Sequence, residues 1–129
     1  MLYPILYVQD QAASSNFYSK LLGITPSLEV PGMTEFSQNA IPFLGIMPLA
    51  GIKNLLPNVL FSNGKQGYTQ CCELYFVVSD VQQKIEESLD IGAKLLSPAI
   101  PRDWGHVVGY IQDADGCIIA LAQLENGQG

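Results

Sequence analysis

Ile5-Leu6-Tyr7-Val8-Gln9-Asp10 opens a run that closes at Leu22-Gly23, and Tyr75-Phe76-Val77-Val78-Ser79-Asp80 opens a matching run that closes at Ile91-Gly92. Asp10 to Gly23 spans 13 positions and Asp80 to Gly92 spans 12. Each run reads as an apolar strand, an aspartate placed to accept from the first free N–H groups of a helix, an amphipathic helix, and a stopping glycine. One such unit buries little apolar surface alone, so the repetition predicts two modules sharing a core or facing a cleft.

Within the first run, Ala13, Phe17 and Leu21 fall at i, i+4 and i+8, with Tyr18 and Leu22 beside them, and predict one apolar helix stripe. In the second, Val81, Ile85 and Leu89 form the stripe, and Asp80 followed by Gln83 has the spacing of a capping box. After the first helix, Pro26 and Pro31-Gly32 mark turns. Residues 34–38 and 42–47 then read as strands joined at Asn39-Ala40. Mixed signals from Pro48 to Gln70 predict a connection, with a strand near 59–61. In the second half, 73–78 is the opening strand. Ser97-Pro98 and Ile100-Pro101 read as loop, and 107–112 and 117–123 read as strands. Asp113-Ala114-Asp115-Gly116 between the last two is a hairpin signal. The chain is thus one domain, with module one at about 1–56, a connection at about 57–70 and module two at about 71–124.

Composition narrows the function classes. With 129 residues, 48% hydrophobic and 14% charged, the chain can bury a core and is not of disordered type. A net charge of −6, with six scattered Lys and Arg, argues against nucleic acid, whose phosphates require clustered cations. The apolar start lacks a basic segment and meets Asp10 too soon for a signal peptide, and no stretch has the length of a membrane span. A cytoplasmic protein with no membrane partner is expected. Three cysteines, two of them adjacent at Cys71-Cys72, with no CxxC pair, are expected to be reduced core residues.

Tyr7-Val8-Gln9-Asp10 with Asn16-Phe17-Tyr18 and Leu21-Leu22-Gly23, and Trp104-Gly105 ahead of Tyr110-Ile111-Gln112-Asp113-Ala114-Asp115-Gly116, resemble the two module signatures of the vicinal oxygen chelate superfamily. That superfamily includes glyoxalase I, extradiol dioxygenases and the fosfomycin- and bleomycin-resistance proteins. Here Ala114 stands where the turn usually carries proline. The resemblance covers nearly the whole chain. It implies an α+β fold of two tandem βαβββ modules, whose mixed sheets curl around a cleft with the helices outside.

The resemblance also implies where a metal would be held: at the start of the first strand and in the last strand of each module. Those positions carry Tyr3 and Glu73, then Gly45 or Ile46 in module one and Ala120 in module two. Alanine ligates nothing, and tyrosine binds metal only after losing a proton near pH 10. The chain's one histidine, His106, is not at a ligand position. No metal and no cofactor are therefore expected, and the nearest relatives in character are the bleomycin-resistance-like members, which hold a drug without metal in a cleft between two subunits.

Side chains alternate along a strand. Tyr3, Ile5 and Tyr7, then Glu73, Tyr75 and Val77, then Ile118, Ala120 and Ala122, and finally Val108, Tyr110, His106 and Trp104 are expected on the cleft side. Leu6, Val8, Phe76, Val78, Ile119 and Leu121 are expected under the helices. The predicted ligand-binding set is Trp104, Tyr110, Glu73, Tyr3, Tyr7, Tyr75 and His106. Aromatics around a few polar groups suit a small aromatic organic molecule, and a carboxylate among them suits a cationic one. Glu73 has two other readings, as an ion-pair partner of Arg102 or as an acid–base pair with His106. The expected function is metal-independent binding or sequestration of such a ligand by a homodimer. The rival is a glyoxalase-like lyase or dioxygenase with a rearranged metal site built from Glu73, His106 or Glu35. A third reading is a degenerate module valued for its dimer surface.

Overall fold

The computed structural model describes residues 1–60 and 72–125. The chain divides into two compact units, Met1–Asn63 and Gly64–Gly129. The first contains β1 (Ile5–Val8), α1 (Gln11–Leu22), β2 (Leu28–Val30), β3 (Met33–Gln38), β4 (Ile41–Pro48) and α2 (Leu49–Leu55). The second contains β5 (Leu74–Val77), α3 (Val81–Asp90), β6 (Lys94–Pro101), β7 (His106–Gln112) and β8 (Ile118–Leu124). Each unit carries one four-stranded mixed sheet, in the orders β1-β4-β3-β2 and β5-β8-β7-β6, and neither sheet closes on itself. This is the α+β βαβββ repeat that the sequence predicts. Among the described residues, no helix is long and apolar enough to cross a membrane.

The two helix starts follow the aspartates. Asp10 accepts from the Ala13 amide at 3.0 Å, and Asp80 from the Gln83 amide at 3.1 Å. The capping box is incomplete, because the Gln83 side chain turns toward Glu87 at 3.5 Å instead of reaching back. Gly23 stops α1 in the left-handed conformation, at φ 71°.

Both helix stripes sit differently from their predicted positions. In α1 the buried residues are Ser14, Ser15, Tyr18 and Leu21, while Ala13 is exposed. The helix is rotated because Ser15 Oγ bonds Thr34 Oγ1 at 2.7 Å, which lets polar residues face the sheet at no cost in lost hydrogen bonds. In α3 Ser88 replaces Leu89 on the buried face, since Ser88 Oγ is satisfied by the Lys84 carbonyl at 2.6 Å. Leu89 is 40% exposed.

Three elements depart from expectation. The strand β2 pairs with β3 between turns that masked it, and α2 forms in the connection directly after Pro48. Val59 and Leu60 are not in a strand, and Phe61 lies outside the described residues. The loop expected around Ser97-Pro98 and Ile100-Pro101 is instead strand β6. It lies at the edge of its sheet, where a proline costs no ladder bond on the open side. Its register shifts between Ser97 and Ile100, opposite Tyr110 and Val108. Neither described cysteine is a core residue: Cys72 is exposed and Cys117 half-buried, while Cys71 lies outside the described residues.

The hairpin between β7 and β8 needs no proline. Asp113 Oδ1 accepts from the Asp115 amide at 2.9 Å and the Cys117 amide at 2.8 Å, which fixes the turn. At the β3–β4 hairpin, Asn39 and Ala40 have φ of 52° and 64°, the two left-handed residues that a tight two-residue turn requires.

Helix α3 packs on β6, β7 and β8, with Val81 and Ile85 buried against the sheet and Ile111, Ile119 and Leu121 fully buried in it. Gly109 allows this approach. A Cβ there would lie 2.5 Å from Ile85 Cδ1, 3.3 Å from the Ala99 amide nitrogen and 3.4 Å from the Ser97 carbonyl oxygen. Gly109→Ala is expected to lower stability by about 1–3 kcal/mol through overpacking. Ile85→Val, which removes that methyl, should cost less in the Gly109→Ala background than in the wild type. A double-mutant cycle by urea denaturation checks the coupling.

Candidate functional site

The strand registers sort the face of each sheet that lies away from its helix. In the first unit, Ile5 pairs with Gly45, and Gly45 with Glu35. Gly45, not Ile46, shares the open face; Ile46 is fully buried beside Thr34 on the other. A Cβ at Gly45 would lie 3.1 Å from Ile5 Cγ1, 3.6 Å from Met33 Sδ and 3.7 Å from the Tyr3 ring, so these four crowd together. The Tyr3 hydroxyl donates to Glu35 Oε2 at 3.0 Å. Tyr7 lies further along β1, opposite Met47, and is exposed.

In the second unit, Ala120 pairs with Tyr75 on one side and Tyr110 on the other, and Ala122 likewise with Val77 and Val108. Tyr75, Val77, Tyr110, Val108 and His106 therefore share a face, as strand alternation predicts. Val108, Ala120 and Ala122 form a buried floor with Tyr110 packed against it. Small residues on the middle strand leave space into which the flanking tyrosines can lean.

Three predicted site residues meet there. The Trp104 indole N–H donates to the Tyr75 hydroxyl oxygen at 2.9 Å, and that oxygen lies 2.6 Å from His106 Nδ1. The Tyr75 and His106 rings are 5.8 Å apart at their centroids. An indole N–H only donates, so Tyr75 is the acceptor from Trp104 and its own proton is available to His106 Nδ1. That polarity requires the His106 proton on Nε2. Trp104 is 55% and Tyr75 42% exposed, so the cluster is open to solvent.

Glu73 does not join this cluster. It sits exposed just before β5, and among the described residues it bonds neither Arg102 nor His106. Arg102 has other partners. Its guanidinium donates to the Val108 carbonyl from Nε at 3.3 Å and from Nη2 at 2.9 Å, and from Nη2 to Ser97 Oγ at 3.0 Å and the Pro98 carbonyl at 3.5 Å. These bonds lie at the register shift of β6 between Ser97 and Ile100. The same guanidinium lies over the Tyr110 ring, 5.3 Å from its centroid. Arg102 was readable only as a partner for Glu73. The one sequence signal for it is that the chain's sole arginine stands two residues before Trp104.

The positions where the superfamily resemblance would place metal ligands do not suit a divalent ion. Gly45 and Ala120 carry no donor atom at the middle-strand positions, and the Tyr3 phenol is committed to Glu35. Among the described residues, no three His, Cys, Asp or Glu side chains group closely enough to hold an ion.

The Glu35 carboxylate holds the Tyr3 phenol above its ordinary value, first through the hydrogen bond, then through its charge, with a further push from burial. A raised phenol favours the neutral form in the folded protein. The stabilisation is therefore present in full below pH 10 and is lost as pH rises through the folded value. In a pH titration followed by NMR of ring-labelled tyrosine, Tyr3 should titrate above 10 and fall back toward 10 in Glu35→Gln. Tyr75→Phe removes the acceptor for the indole of Trp104. It is expected to change stability by less than about 1 kcal/mol, since the bond is solvent-exposed. It should also shift the Trp104 indole ¹H–¹⁵N resonance and speed its exchange with water.

The sequence model of the glyoxalase-like domain matches residues 1–124. Similar solved structures include a glyoxalase-related enzyme from Fulvimarina pelagi, at 23% identity and a TM-score of 0.77, covering 95% of this chain and 86% of that one. A glyoxalase/bleomycin resistance protein/dioxygenase family enzyme from Burkholderia phytofirmans PsJN aligns at 16% identity and a TM-score of 0.80, covering 95% and 96%. A glyoxalase/bleomycin resistance protein/dioxygenase from Nocardioides aligns at 22% and 0.73, covering 98% and 85%. No functionally curated protein matches this chain.

Proposed function

Because the chain belongs to the glyoxalase-like domain family, within the vicinal oxygen chelate superfamily, we propose that it binds a small aromatic organic molecule, without a metal ion, at the exposed Trp104 and Tyr75 rings on the second unit's sheet face away from α3. The observation that carries this reading is the hydrogen-bonded Trp104–Tyr75–His106 cluster, which holds two exposed aromatic rings in fixed orientation beside a floor of Val108, Ala120 and Ala122. Aromatic rings fixed before binding lose little side-chain entropy when a flat ligand stacks on them. Sequestration requires affinity and no chemistry, which agrees with glycine and alanine at the middle-strand positions. A cationic ligand would draw on Glu73, whose exposed place ahead of β5 lies outside the cluster.

The rival is a lyase or dioxygenase with a rearranged metal site. It would need Glu73, His106 or Glu35 as ligands, and two of these are engaged: His106 with Tyr75, and Glu35 with Tyr3.

The test is a titration of chelator-treated protein with a panel of planar aromatic compounds, followed by Trp104 fluorescence. Trp104 is the sole tryptophan, so quenching reports one place. Saturable quenching that persists in chelator and weakens at least several-fold in Tyr75→Ala is expected. Binding that appears only after Zn²⁺, Ni²⁺ or Fe²⁺ is added would favour the metal enzyme.

A further inference from the structure

The polar groups of the second unit's face include the Trp104–Tyr75–His106 chain and the Arg102 guanidinium. The Trp104 indole N–H is used by Tyr75, and the Tyr75 hydroxyl by His106 Nδ1. With the Tyr75 hydroxyl donating to Nδ1, His106 carries its proton on Nε2 and offers a donor there. The Arg102 guanidinium is pinned through Nε and Nη2 to backbone carbonyls and Ser97, and its remaining nitrogen, Nη1, makes no hydrogen bond to a described residue. Among the described residues, no side-chain carboxylate pairs with Arg102. A half-buried guanidinium with no anionic partner is uncommon, because arginine's planar fork suits carboxylates.

Position adds to charge. Tyr75, Ala120 and Tyr110 lie in one row across three strands, so the two tyrosine backbones stand about 9–10 Å apart, two strand spacings. Arg102 caps the Tyr110 end of the row, and Trp104 and His106 gather at the Tyr75 side chain.

We propose that the ligand of this face is an aromatic carboxylate, its acid group held by Arg102 and its rings stacked on Trp104 and Tyr75. This rests on the binding reading above and gives that ligand its charge. It also reverses the cationic preference that Glu73 suggests from sequence. Arg102 acts despite the chain's net charge of −6, because a fixed donor at contact distance outweighs a diffuse field screened over about 8–10 Å at physiological salt.

The experiment compares three ligands of one shape by isothermal titration calorimetry on chelator-treated protein: 2-naphthoate, neutral 2-naphthalenemethanol and cationic 2-naphthylmethylamine. The expected result is that naphthoate binds about tenfold or more tighter than the alcohol, in line with a charge-assisted hydrogen bond, and the amine weakest. Arg102→Gln should collapse the naphthoate-to-alcohol affinity ratio from about tenfold to near one, whatever it does to both affinities together. Arg102→Lys, which keeps the charge and loses the fork, should fall between. Should Arg102→Gln fail to fold, the three-ligand ranking on wild type and the Arg102→Lys value still decide. Alcohol and naphthoate binding equally, or the amine binding tightest, would overturn the anion assignment and leave metal-free aromatic binding standing. If none of the three binds, both readings fall.

Discussion

The second unit depends on one register, with β8 held between β5 and β7 so that Ala120 lies opposite Tyr75 and Tyr110 at once. Side chains alternate along a strand, so a slip of one residue would exchange the two faces. Such a slip of β8 would bring Ile119 and Leu121 out and turn Ala120 and Ala122 toward α3. What forbids it is burial on the far face. Val81 and Ile85 of α3 pack there against a sheet in which Ile111, Ile119 and Leu121 are fully buried, at a closeness that only Gly109 permits. Burying each such side chain is worth about 1.5–3 kcal/mol, so a shifted register would forfeit several of them together. The open face inherits its order from the closed one.

The first unit repeats the scheme with other side chains. Gly45 occupies the middle-strand place that Ala120 holds in the second, between Ile5 and Glu35. The chemistry then diverges. The first unit's face carries a tyrosine donating to a carboxylate, and the second's a tyrosine accepting from an indole beside an arginine. Duplication explains the shared backbone plan, and the different polar groups are why the two faces are not equivalent as binding surfaces.

Much of this was legible in the residues because it follows from local rules. The capping aspartates, the stopping Gly23, the Asp-Gly hairpin and strand parity each depend on a few neighbours, and each stands as read. The misreadings came where tertiary partners override local preference. Ser15 and Ser88 look too polar for a buried helix face, yet Thr34 and the Lys84 carbonyl satisfy them. Pro98 and Pro101 look like loop, yet an edge strand with a register shift accommodates both. At the site, parity put Tyr75, Tyr110 and His106 on one face. The bond joining Trp104, Tyr75 and His106 could not be read, because it depends on how side chains from three segments lean together. Arg102 was hidden for the same reason: most of its hydrogen bonds go to backbone carbonyls, which leave no mark in a sequence.

The central claim is that the second unit's open face takes an organic ligand with no metal present. It is met most directly by mapping ¹H–¹⁵N and aromatic ¹H–¹³C chemical shifts on chelator-treated protein saturated with 2-naphthoate. The account predicts the largest changes at the Trp104 indole, the Tyr75 and Tyr110 rings, His106 and the Arg102 Nε–H. Changes centred instead on Tyr3 and Glu35, or changes that appear only once a divalent metal is supplied, would contradict it.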